Sequence, residues 1–84
     1  MKPIQFSHHA LGYRERRGFT TQEVEEAIRT CPWRATERGK LECRKDYPFG
    51  ADWNGKRYTI KQVRPIFSDE PDAIVVVTVY TYYF

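Results

Sequence analysis

The side chains of this 84-residue chain that could do chemistry fall in two groups. Near the start stand His8 and His9, then Arg14, Arg16 and Arg17. Near the end stand Lys61, Arg64 and the tyrosines Tyr58, Tyr80 and Tyr82. Histidine titrates close to neutrality, so it can act as an acid or a base. Arginine offers a planar fork of donors that fits phosphate oxygens. Aromatic rings are platforms on which unpaired bases stack. These are the parts a metal-free ribonuclease needs. It must take a proton from a ribose 2′-hydroxyl, give one to the leaving 5′-oxygen, and hold the charged phosphorane. In that reading His9 is the acid or base, Arg17 and Arg64 bind the scissile phosphate, and Tyr80 relays a proton or stacks. Arg14, Arg16, Lys61, Tyr58 and Tyr82 contact the RNA. The expectation involves no cofactor and no metal.

Each residue also has a plainer reading. A histidine just after a strand and beside Ser7 can pin a helix start. Arginines in the last turn of a helix suit the negative end of its dipole. Tyrosines on a strand pack by default. Arg57, Lys61 and Arg64 can simply coat an exposed sheet face. His8, His9, Cys31 and Cys43 make a zinc set by count, but they lack the paired short spacing of zinc sites. No glycine-rich phosphate loop, nucleophile elbow or carboxylate pair is present.

The elements that must position these groups follow from pattern. Ile4 and Phe6 alternate around Gln5 in a short strand, Pro3 to Phe6. Ser7 caps a helix from about His8 to Arg17, which Gly18 ends. At about 100° per residue, His9, Gly12, Tyr13, Arg16 and Arg17 share one broad face of it. Thr20-Thr21-Gln22-Glu23 is a capping box for a second helix. Val24, Ala27, Ile28 and Cys31 form its buried stripe, and Pro32 ends it. Trp33–Glu37 and Leu41–Tyr47 read as strands around a turn at Arg38-Gly39-Lys40. Pro48 to Gly55 reads as a loop ending in the hairpin signal Asn54-Gly55. Lys56–Phe67 is a long strand, with Pro65 marking a bulge or an edge. Ala73–Phe84 is the final strand, apolar on both faces up to Val79 and therefore central in its sheet. From Thr78 onward one face turns hydroxylic, and the strand there leaves the core.

A chain of this length forms one domain, residues 1–84, and buries roughly 60–65% of its unfolded surface. Its net charge is +3, with fourteen Lys and Arg against eleven acids, and the charges are segregated along the chain. That favours an anionic partner on one face. No apolar run spans a membrane, the head from Met1 to Phe6 lacks the apolar core of a signal peptide, and two cysteines make no disulfide framework. The expectation is a cytoplasmic protein with reduced thiols, although a Cys31–Cys43 bridge stays open.

Two segments resemble a family of small bacterial domains with no assigned function. Members open with His-Ala, six residues, then Arg-Gly and an aliphatic residue, and close on Val-Val-Thr-Val-Tyr. Here these are His9-Ala10, Arg17-Gly18-Phe19 and Val76-Val77-Thr78-Val79-Tyr80. Relatives often carry Arg four residues after the His, where this chain has Tyr13. The family is similar in element order to the RelE/ParE toxin superfamily, whose members include ribonucleases and gyrase poisons. The resemblance implies an α+β, RelE-like fold: two N-terminal helices packed on a twisted, mainly antiparallel sheet of four to five strands. It implies a toxin-type endoribonuclease held by an antitoxin protein, as a monomer or weak homodimer. The alternative is a non-catalytic nucleic-acid-binding or protein-interaction module.

Overall fold

The structure, a computed structural model, describes residues 2–84; Met1 lies outside the described residues. The chain runs β1 (Ile4–Phe6), α1 (His8–Gly12), α2 (Arg14–Arg17), α3 (Thr21–Thr30), β2 (Arg34–Ala35), β3 (Leu41–Glu42), β4 (Lys45–Trp53), β5 (Lys56–Asp69) and β6 (Ile74–Tyr83). This corrects the expected architecture. Among the described residues three short α-helices, not two, accompany one sheet of six strands, not four or five. The sheet order is β1-β6-β5-β3-β2, with β4 also paired to β5.

The departures have local causes. The helix expected over His8–Arg17 breaks at Tyr13, whose backbone sits at φ −100°, ψ 3°. Only Ala10 is buried in α1, and nothing in α2 is. With so thin an apolar side, packing does not hold the two turns collinear. The strand expected over Leu41–Tyr47 is interrupted at Cys43 and Arg44. That gap faces Arg64 and Pro65 on β5, and a proline has no N–H to offer the ladder. The segment expected as a loop after Pro48 is strand instead. A register shift between Pro48 and Ala51 lets β4 continue to Trp53. The Phe49 and Trp53 rings then pack on Tyr83, with centroids 5.2 and 4.8 Å away.

Elsewhere pattern and structure agree. Thr20 and Glu23 form the capping box at the start of α3. Asn54 and Gly55, both at positive φ, turn β4 into β5. β6 runs antiparallel to β5 and parallel to β1, which covers it only from Ile74 to Val76. A shift of register between Ile66 and Phe67 leaves Val77 without a partner on β5. That extra residue puts Val76 and Val79 on the same buried side. The core sits under the helices, where Phe19, Val24, Ala27 and Ile28 meet Val63, Phe67, Val76 and Val79. Thr78, Tyr80 and Tyr82 alternate with the buried set and lie with Arg64 and Ile66 on the opposite face of the sheet. No helix among the described residues is long and apolar enough to cross a membrane.

Candidate nucleic-acid interface

The start of α1 is pinned by Ser7, not by a histidine. The Ser7 hydroxyl accepts from the Ala10 N–H at 3.0 Å and donates to the Val77 carbonyl at 2.9 Å. His9 is thereby left exposed. Its ring meets that of Tyr13, centroid to centroid 4.8 Å. The Arg17 guanidinium lies 4.0 Å from the Tyr13 ring centroid, and Arg16 lies 5.4 Å from it.

From there the series continues onto the sheet. Arg17 reaches the edge of β6, where its Nη1 donates to the Val79 carbonyl at 2.8 Å and to the Thr78 hydroxyl at 3.2 Å. The same guanidinium lies 5.1 Å from the Tyr80 ring, and Arg64 lies 5.5 Å from that ring on β5. Arg64 donates from Nη1 to the Tyr82 hydroxyl at 3.3 Å and from Nε to the Glu42 carboxylate. Arg44 stands 3.6 Å from the same carboxylate oxygen, and Arg34 is Glu42's cross-strand neighbour. The result is one ridge of alternating rings and cations, from α1 around the edge of β6 and across the open face of the sheet.

The electrostatics of the ridge turn on Glu42. The hydrogen bond from Arg64 holds its carboxyl below the usual carboxylate range, against the opposing effect of burial, with Arg44 and Arg34 adding to the pull. That bond raises the Arg64 guanidinium further in turn. Glu42 remains a buried anion among three arginines, so the ridge keeps a positive excess at its Arg44 end.

The expected site residues divide. His9, Arg17, Tyr80 and Arg64, expected as the catalytic group, lie along the ridge, and Arg16 and Tyr82 join them. Arg14 does not. Its Nε donates to the Leu11 carbonyl at 3.1 Å, and it borders a separate hollow with Phe19 and Thr20. Lys61 is buried on the helix side, where Nζ donates to the Gly18 carbonyl and to Glu23, both at 2.9 Å. Tyr58 packs near Tyr83 at the far end of β5, 5.7 Å between centroids. Helical spacing puts Tyr13 on the right face, but Tyr13 has no part in the expected site, and Glu42 is absent from it. The signal for Glu42 is its alternation with Leu41 and Cys43, which puts it on the same side of the chain as Arg44.

Among the described residues no group of three His, Cys, Asp or Glu side chains could hold a metal ion, and Cys31 and Cys43 are free thiols. Comparison with protein-family models, with curated proteins and with solved structures finds no match to this chain.

Proposed function

We propose that the chain binds single-stranded RNA along this ridge. Arg16 and Arg17 would meet successive phosphates, and the rings of Tyr80 and Tyr82, with Arg64 in contact with both, would receive unpaired bases. The observation that carries the reading is the unbroken contact series His9–Tyr13–Arg17–Tyr80–Arg64. Rings interleaved with guanidinium groups suit a strand whose bases and phosphates alternate. A duplex would hide the base faces, so single strands fit better. The hydroxyls of Thr78, Tyr80 and Tyr82 border the path and can pair with a 2′-hydroxyl, which favours RNA over DNA.

Binding is favoured over cleavage because the ridge brings one imidazole, at its end, with the Tyr13 ring in contact with both it and Arg17. Cleavage would need acid, base and phosphate holders around a single phosphate. Fluorescence anisotropy with short labelled oligonucleotides over a salt series tests the proposal. With two phosphates neutralised, the slope of log affinity against log salt is about −1.4. Tyr80→Ala weakens binding about tenfold or more at an unchanged slope. Arg16→Ala makes the slope shallower by about 0.7. Absence of binding at low salt, or wild-type behaviour of both variants, overturns it. Strand scission that disappears in His9→Ala would replace binding with catalysis as the function.

A further inference from the structure

Beside the ridge the open face holds a shallow hollow of about 580 Å³. Tyr80 and Tyr82 border it, and Glu37, Glu42 and Arg64 line it. We infer that this hollow is a base pocket selective for guanine, an inference that rests on the RNA-binding reading above.

Free donors and acceptors decide what the hollow can read. Glu42 directs Oε2 at both Arg64 and Arg44. Its Oε1 makes no hydrogen bond among the described residues, and neither does the exposed carboxylate of Glu37. Arg64 uses Nε for Glu42 and Nη1 for Tyr82, and Nη2 has no partner among the described residues. The lining of the hollow therefore includes two carboxylates with free acceptors and one guanidinium with a free donor. On its Watson–Crick edge guanine carries two adjacent donors, N1–H and N2–H, beside the acceptor O6. Adenine, cytosine and uracil each carry a donor on a single position of that edge. Two carboxylates meeting them would leave acceptors facing acceptors. The Glu42–Arg64 ion pair fixes both reading groups, since neither can turn without leaving the other buried and unmatched. Glu42 stays ionised at neutral pH because Arg64 holds its carboxyl low, so both of its oxygens accept. A carboxylate and tyrosine hollow would also suit a cationic side chain, but three arginines, Arg34, Arg44 and Arg64, act on Glu42 and leave a positive excess against the two carboxylates.

Anisotropy with oligouridylate carrying one central G, A, C or U measures the selectivity. The G oligonucleotide binds about tenfold tighter than the others. Replacing that G by inosine, which lacks the N2 amino group, removes most of the advantage and leaves the protein untouched. Glu37→Gln, an exposed change that does not threaten folding, reduces the preference, and Glu42→Gln abolishes it. Equal binding of all four oligonucleotides overturns the guanine pocket and leaves the RNA-binding reading standing. Inosine binding as tightly as guanine overturns the assignment to the N2 donor. Preferential binding of a lysine-rich peptide over every oligonucleotide overturns the pocket, and failure of all four to bind overturns the parent reading as well.

Discussion

Nη1 of Arg17 donates to the backbone carbonyl of Val79 at 2.8 Å. β1 ends at Phe6, so the outer edge of β6 loses its strand partner after Val76. Ser7 takes the next carbonyls, donating from its N–H to Val76 at 3.0 Å and from its hydroxyl to Val77. Arg17 takes Val79, and its own carbonyl accepts from the Thr81 and Tyr83 hydroxyls. A guanidinium thus closes a sheet edge that would otherwise be open to a second chain.

Arg17→Ala should lose about 1–2 kcal/mol, and a fall of several degrees or more in Tm follows for a domain of this size. It should also raise self-association, because the edge is bared. Calorimetry and light scattering at matched concentrations check both. A variant that melts and elutes like the wild type would show that the edge needs no such cover.

Gly18 closes α2 in the left-handed region at φ 76°. A Cβ there would lie 2.7 Å from a ring carbon of Trp53 and would also meet the Tyr83 hydroxyl. Gly18→Ala therefore combines left-handed strain with overpacking, together ~3 kcal/mol. Gly55, at φ 80°, has open space around its Cβ position, so Gly55→Ala incurs the backbone strain alone, ~1 kcal/mol. Urea denaturation of the two variants separates packing from conformation. Equal losses would mean that the Trp53 ring simply moves aside.

Glu42 makes the fold acid-sensitive. Its carboxyl lies below the ordinary value of 4.5, chiefly through the Arg64 hydrogen bond. A depressed acid contributes stability that is fully present above 4.5 and is lost as pH falls through the folded value. Stability should therefore be level in this respect near neutrality and fall below about pH 4.5. Glu42→Gln should be less stable than the wild type at neutral pH, and the two should converge on acidification. Denaturation midpoints measured from about pH 7 to about pH 3 give the comparison. Parallel curves would mean that the ion pair adds no pH-dependent stability.

The chain announces its strong local signals and conceals its long-range ones. The capping box at Thr20 and Glu23, the Asn54-Gly55 turn and the apolar run of β6 depend on near neighbours, and each stands where pattern places it. The thin apolar side of the first helix is visible in its residues, but the break at Tyr13 depends on how little α1 and α2 bury once the sheet has formed. The split at Cys43 depends on Pro65, some twenty residues away and facing it only after β5 has paired. The site follows the same division. Helical spacing gathers His9, Tyr13, Arg16 and Arg17, and strand alternation gathers Arg64 with Tyr80 and Tyr82 on one face. Alternation also assigns Lys61 to the set with Val63, Pro65 and Phe67. Its charge obscures that placement, because a buried lysine is recognisable only once its partner is known.

That partner is Glu23. Lys61 Nζ sits between the Gly18 carbonyl and the Glu23 carboxylate, and its side chain is 10% exposed. Removing one member of so enclosed a pair leaves the other charge unmatched, so Lys61→Ala should lose ~3 kcal/mol. Lys61→Met keeps the packing of the stem and should lose less. Adding Glu23→Gln to it should recover part of the deficit, because no carboxylate is then left without its cation. RNA affinity and salt slope should match the wild type in Lys61→Met at temperatures where it is folded, since this charge lies on the helix side of the sheet. A salt slope shallower by about 0.7 would instead place Lys61 on the phosphate path, and the ridge would no longer account for binding alone.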